Sequence, residues 1–379
     1  MIKEITVYTD GDSAAISTWS NIPYLFTETL ISKGIKVNRV DISPTGLAHQ
    51  NRLWRIFYNR IFDKIIRKIH PATSFEYKRS WFHYINVRKT IQTTLKQYPQ
   101  TDLLLFLTYC PAAAGLTHKP ILLFSDWTYE YYFKSFLHRK PDLFERQAIR
   151  RENRQIERAQ WVVNLFPKTA EYMQKRYHNP NIVYLGNVVN AIMAPDETAI
   201  LAQKQSSFKL LFVGKAKYRD SAQSLIAAFN LLKTRYPQLS LHIVGMIAED
   251  FDVLPEGVSC YGYLDKNIAA ERKTYYRLLQ EAKLFVNPSP LWGAFSASLE
   301  AMYFYVPTVV CPYPEFVETF GKDIRSGIYL PSDRPEDIAQ TMDTLLNSPD
   351  YLQCCKAAHQ AAEPFSWEAY IGKLLQLIR

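Results

Sequence analysis

The residues whose types and spacing carry chemistry gather in the second half of the chain. An apolar run, Ala282 to Val286, ends in the breakers Asn287, Pro288 and Ser289, and a helix-compatible segment begins at about Ser296. Ser296, Ala297 and Ser298 would then offer free backbone N–H groups and the positive end of the helix, which suit a phosphate. Glu300 falls one turn further in, on the same edge. A carboxylate there repels phosphate but accepts two hydrogen bonds from a vicinal diol, so a nucleotide with its ribose at Glu300 and its phosphates at the helix tip fits both. The plainer alternative is a solvated helix glutamate. Upstream, Gly214, Lys215 and Arg219 lie in Phe208 to Phe229, which reads as strand, loop, helix. Two cations facing a helix amino terminus would neutralise a diphosphate and stabilise it as a leaving group.

Such residues act only if a frame holds them. Pro307 and a second apolar run complete the unit begun at Ala282, giving strand, loop, helix, strand. In that arrangement the loop and first helical turn lie at the carboxyl edge of a parallel sheet, where open α/β folds bind ligands. The chain start repeats the pattern: Ile2 to Tyr8 alternates like a strand, Thr9 to Ser13 forms a turn, a helical segment runs to Gly34, and Ile35 to Ile42 is a second strand. The turn sets Gly11, Asp12 and Ser13 at a sheet edge, as turn residues or as site residues. Asp102 to Thr108 and Pro120 to Phe124 are continuous apolar runs, as doubly buried parallel strands are. Leu241 to Met246 and Ser259 to Leu264 extend the second sheet. Asp126 follows Phe124 closely enough to cap a helix starting at Trp127.

Pro288, Ser289, Gly293, Leu299, Glu300, Ala301, Met302, Pro307 and Val309 together resemble the donor-binding signature of retaining glycosyltransferases of family four, the glycosyl transferases group one. The resemblance implies an α/β chain with the GT-B fold, two doubly wound Rossmann-like domains facing a central cleft. It is strong over about residues 208–370 and weak over 1–190. It divides the chain into an acceptor-side domain (1–190), a linker (191–207), a nucleotide-sugar domain (208–366) and a last helix (367–379) that returns to the first domain. The ribose role passes to Glu300. Trp292 stands where the pattern has its first Glu, so it is a donor-side position without that carboxylate's sugar contact; Tyr305 stands where the pattern has Gly. Tyr263 and Leu264 fall at the nucleobase pocket, and Gly11, Asp12 and Ser13 on the acceptor side. Asp126 lies where family members often carry a His near the transfer centre, which makes it a catalytic candidate with Lys215 and Arg219. Retention of configuration, with the leaving phosphate as base, is likewise implied by the resemblance. No Asp-x-Asp metal motif stands at a strand end, so no metal or other cofactor is expected and Lys215 and Arg219 take the cation's role.

Composition bounds the rest. At 379 residues, 47% hydrophobic and 14% aromatic, the chain can fill two cores of about 180 residues each. No apolar run approaches the ~18 residues of a membrane span, and the five cysteines show no metal-ligand spacing, so a cytoplasmic protein is expected. The net charge of +9 is uneven: residues 1–180 hold 27 Lys and Arg against 15 Asp and Glu, the remainder 18 against 21. Residues 49–98 concentrate eleven basic and two acidic residues among aromatics. There Leu53, Ile56, Phe57, Ile61, Ile65 and Ile69 share helical spacing, either as a core face or as a face for anionic lipid at the inner surface of the plasma membrane. No nucleic-acid-binding motif accompanies the charge, and nucleic acid is not expected as a partner.

The expected partners are a UDP- or GDP-linked sugar donor and a glycan or lipid-linked acceptor, in the synthesis of a bacterial surface polysaccharide such as lipopolysaccharide or capsule. An epimerase or hydrolase of nucleotide sugars on the same fold, and a non-catalytic sugar-nucleotide-binding protein, are the alternatives. A dinucleotide dehydrogenase is disfavoured because no GxGxxG follows either first strand.

Overall fold

The computed structural model describes residues 2–109, 112–290 and 295–378. They form two units, one of Met1–Gly186 with Tyr370–Arg379, the other of Asn187–Ala369. The continuous apolar runs become parallel strands buried on both faces. The strands of the first unit are β1 (Glu4–Thr9), β2 (Lys36–Asp41), β3 (Leu103–Phe106), β4 (Ile121–Ser125), β5 (Trp161–Asn164) and β6 (Ile182–Tyr184), ordered β2-β1-β3-β4-β5-β6; β1, β3 and β4 are buried throughout, the edge strands β2 and β6 only in part. Val7 pairs with Arg39 on one side and Leu105 on the other, and Tyr8 stacks on Phe106 with ring centroids 4.5 Å apart. Strand order reverses between β1 and β3, so a crevice opens at their carboxyl ends.

Residues 48–69 form the helix Ala48–Phe57, a π-helical turn Tyr58–Phe62 and the helix Asp63–Ile69. The stripe of branched residues does not face the core. Leu53 is 82% exposed, Ile65 51% and Ile69 63%, and Trp54, Ile56, Phe57 and Ile61 are exposed too. A neighbouring stripe packs instead: Tyr58 and Ile66 are buried with Phe75 and Tyr77, and Phe62 lies against them. Successive helical residues are about 100° apart, so an apolar stripe one position over is a different face.

The second unit holds β7 (Lys209–Val213), β8 (Ser240–Val244), β9 (Val258–Cys260), β10 (Ala282–Asn287), β11 (Thr308–Val310) and β12 (Gly327–Tyr329), all parallel, in the order β12-β11-β10-β7-β8-β9. This is the doubly wound dinucleotide-fold order, with its reversal between β7 and β10. Residues 191–207 are not a plain linker, because Glu197–Ser206 is a helix capped by Asp196 and belongs to the second unit. Its buried face consists of Ile200 and Lys204, so no apolar period betrays it. Lys204 donates to the carbonyls of Leu279, Gln280 and Ala282, where the helix Ala269–Glu281 ends, and Lys283 donates to those of Lys204 and Gln205. Each lysine thereby caps the other's neighbouring helix end. Among the described residues no helix is long and apolar enough to cross a membrane.

Candidate functional site

In the second unit the reversal of strand order brings together the loop after β7 and the loop after β10. Gly214 donates to the Val244 carbonyl and lies so close to Gly245 that a Cβ there would meet the Gly214 oxygen at 2.6 Å. Lys215 follows it, exposed, and Arg219 opens the helix Arg219–Lys233. The Arg219 guanidinium reaches Asp252 at 3.4 Å, a long, solvent-screened pair that leaves the cation accessible. Facing them in the fold, β10 leads to the helix Ser296–Tyr303, whose first residues are Ser296, Ala297 and Ser298. Amides in that first turn have no intrahelical acceptor. Trp292 and Gly293 lie outside the described residues.

Glu300 is not a solvated helix residue. It is 4% exposed, accepts from Lys266 Nζ at 2.8 Å through Oε1 and from the Tyr275 hydroxyl at 2.9 Å through Oε2. Lys266 also lies over the Tyr275 ring, 4.4 Å from its centroid. Burial, then the charge of Glu300, push the Tyr275 phenol far above its ordinary range, so it is a constant donor. Tyr263 and Leu264 sit three and two residues before Lys266 on the same loop; Tyr263 is 63% exposed, a ring open to stacking. Sequence reasoning missed Lys266 and Tyr275, since nothing marks them except their proximity to Glu300 in space.

At the corresponding reversal in the first unit, Gly11 has φ +124° and donates to Asp41 at 3.1 Å; a Cβ there would meet Thr18 at 2.9 Å. Asp12 closes the turn through its side chain to the Ala14 amide, and Ser13 is buried. These are the duties of turn residues. Next come Trp19, Ser20 and Asn21, three successive non-glycine residues at positive φ, a concentration of backbone strain of the kind found at functional sites. Asp126 does not cap the following helix: that helix starts at Tyr129 and Thr128 caps it, while Asp126 Oδ1 accepts from the Trp127 amide at 2.7 Å. Asp126 lines an open pocket of about 300 Å³ together with Asp10, Trp19, Lys78 and Thr108. Asp10, Trp19 and Lys78 were not read from the sequence, because their convergence depends on the strand order. Among the described residues no group of three His, Cys, Asp or Glu side chains could hold a metal.

Residues 207–348 match the family model described as glycosyl transferases group 1. Solved structures with the same fold include the sucrose-phosphate synthase of Thermosynechococcus elongatus, at 16% identity, TM-score 0.66, covering 100% of this chain and 98% of that one. HepE from Anabaena, solved with UDP and glucose, has 13% identity, TM-score 0.64 and coverage of 100% and 99%. A protein described as a UDP-N-acetylglucosamine 2-epimerase from Listeria monocytogenes has 14% identity, TM-score 0.60 and coverage of 100% and 96%. No curated protein matches the chain. Likeness at such identities speaks for the fold, and the family match speaks for the second unit. That unit is a glycosyl transferases group 1 domain, carried on a chain with the GT-B fold.

Proposed function

We propose that the protein transfers a sugar from a UDP- or GDP-linked donor, held by the second unit, to a glycan or lipid-linked acceptor held by the first, in building a bacterial surface polysaccharide. The observation that carries the donor half is Glu300, buried but hydrogen-bonded at the strand-order reversal, one turn from the helix tip at Ser296. Its carboxylate would take the ribose diol, the helix tip and Gly214 the diphosphate, Tyr263 and Leu264 the base. In the step itself the bond from the sugar's anomeric carbon to the phosphate oxygen breaks and one to the acceptor oxygen forms. The acceptor's proton passes to the leaving phosphate if configuration is retained. Lys215 and Arg219 would stabilise the charge that develops on that phosphate, without a metal.

The acceptor half is supported by the Asp10, Trp19 and Asp126 pocket, since carboxylates accept from sugar hydroxyls and an aromatic face covers sugar C–H groups. The exposed stripe of residues 53–69 beside Arg52, Arg55, Arg60, Lys64, Arg67 and Lys68 supports work at the inner membrane surface. The test is nucleotide release from UDP- and GDP-sugars with and without bacterial lipid-linked glycan. Release that requires acceptor is expected. Conversion of the donor alone would make the protein an epimerase or hydrolase instead, and donor binding with no turnover would make it a binding protein.

A further inference from the structure

The loop after β9 and the carboxylate of Glu300 meet in one side chain. Past Cys260 the loop is tied to β8 and its end, where the amides of Tyr261 and Gly262 donate to the Ile243 and Met246 carbonyls at 2.9 and 2.8 Å. Tyr263 and Leu264 come next. The loop is tied again at Asp265 and Lys266, this time by the helix that follows, Ala269–Glu281. Glu271 accepts from the Asp265 amide at 2.7 Å, and Arg272 donates to the Lys266 carbonyl at 2.7 Å. The Lys266 side chain then runs to Glu300. Its ammonium lies 2.8 Å from Oε1, 3.5 Å from the Asn190 carbonyl, and 4.4 and 5.4 Å from the ring centroids of Tyr275 and Tyr276.

The side chains of Lys266 and Glu300 are 12% and 5% exposed, so water screens the pair little. Such a pair adds little net stability, because the cost of removing both charges from water offsets their attraction. It does fix geometry. The short bond and the two rings hold the ammonium, and the ammonium holds one edge of the carboxylate. Three residues back along the same backbone stands the exposed ring of Tyr263. Lys266 therefore sets how far Glu300 stands from the Tyr263 loop, and that is the distance a nucleoside has to bridge.

We propose that Lys266 is a positioning residue that couples recognition of the nucleobase to recognition of the ribose. The inference rests on the reading of Glu300, Tyr263 and Leu264 given above, and adds that the two contacts are made as one unit. Displacing Lys266 moves both the carboxylate that takes the ribose diol and the loop that takes the base. Lys266 itself touches neither.

The test measures, by calorimetry on the full chain, the Kd of UDP, of GDP, and of the 2′- and 3′-deoxy forms of whichever binds more tightly. Two ratios are read: the penalty for a missing hydroxyl and the preference between the bases. In wild type each should be about tenfold or more, the first because a charged acceptor is left unpaired. Lys266→Met should weaken the preferred nucleotide at least about tenfold, shrink the hydroxyl penalty below about threefold and cut the base preference at least about threefold. An ion pair that only holds the fold predicts a lower melting temperature with both ratios unchanged. That result overturns the proposal, as does a change confined to one ratio. If Lys266→Met does not fold, Lys266→Gln, whose shorter amide withdraws from Glu300 but leaves it a polar neighbour, is held to the same expectations. A wild type indifferent to the missing hydroxyls or to the base refutes the reading of the donor site itself; wild-type ratios as expected, with none lost in the variant, refute the coupling alone.

Discussion

Glu300 is held and still usable, because each carboxylate oxygen has two lone-pair directions and Lys266 and Tyr275 use one apiece. Glu300→Gln keeps the shape and removes the charge. We expect donor affinity to fall about ten- to hundredfold, the cost of ~1.5–3 kcal/mol for a lost charged acceptor. Thermal stability should fall as well, since Lys266 loses its counter-ion. Tyr275→Phe separates these effects: it removes one hydrogen bond but leaves the ion pair, and should cost about 1 kcal/mol of stability with little change in donor affinity. Calorimetry with UDP- and GDP-sugars on both variants measures this; equal donor affinities in Glu300→Gln and wild type would rule out the ribose contact. For Lys215 and Arg219, each of which stands at the edge of β7 without a short ion pair among the described residues to hold it, alanine should lower kcat more than it weakens donor binding. A loss of affinity with kcat intact would reduce them to ground-state contacts. These three residues were legible because each follows a strand that ends in breakers. Lys266 and Tyr275 were not, lying 34 and 25 residues from Glu300 along the chain.

Elements show where sequence reading succeeds and where it stops. Doubly buried strands announce themselves as apolar runs, so β7, β10 and β11 beside the donor site were found, whereas β12, three residues long and only partly buried, was not. The helix Glu197–Ser206 was missed because its buried face uses a lysine: burial pushes the Lys204 ammonium down to about 7, yet three carbonyls hold it. Tyr305 takes φ 59°, a conformation usually left to glycine, and is kept there by stacking on His359 with centroids 4.1 Å apart. The helix Leu143–Arg158 begins at a capping box of Asp142 and Glu145, whose three-residue spacing was not read from the sequence. Burial alone would raise the Glu145 carboxyl, but the Arg139 guanidinium and the amides of Ser74 and Asp142 bring it down to about 2. A carboxyl depressed in the folded state stabilises above its unfolded value of about 4.5, and that stability is lost as pH falls towards 2. Glu145→Gln should therefore cost on the order of 2 kcal/mol at pH 7, with the difference from wild type closing between about pH 4.5 and 2. Urea unfolding of both proteins across that range checks it, and a constant difference would mean the charge is not what Glu145 contributes.

Across the whole molecule the two kinds of surface divide unevenly. Residues 1–180 carry net +12 and the rest net −3, and the first part also carries the exposed stripe from Leu53 to Ile69. A core helix with a solvated charged face would have buried Leu53, Ile56, Phe57 and Ile61, and the fold buries Tyr58 and Ile66 instead. Apolar side chains flanked by cations are the composition of a helix that lies in a bilayer interface. Anionic lipid attracts each nearby Lys or Arg by ~1 kcal/mol, so four engaged side chains give appreciable binding at low salt, with screening beyond about 8–10 Å as ionic strength rises. We expect the chain to sediment with vesicles containing anionic lipid, to do so less at high salt, and to ignore neutral vesicles. Leu53→Asp with Ile61→Asp should abolish sedimentation while leaving thermal stability within about 0.5 kcal/mol per site, because both side chains are already exposed. If the double variant melts well below wild type, the stripe is covered by protein and not by lipid. If wild type stays in the supernatant with both vesicle types at low salt, residues 49–98 do not dock on membrane, and a soluble glycan becomes the acceptor to try.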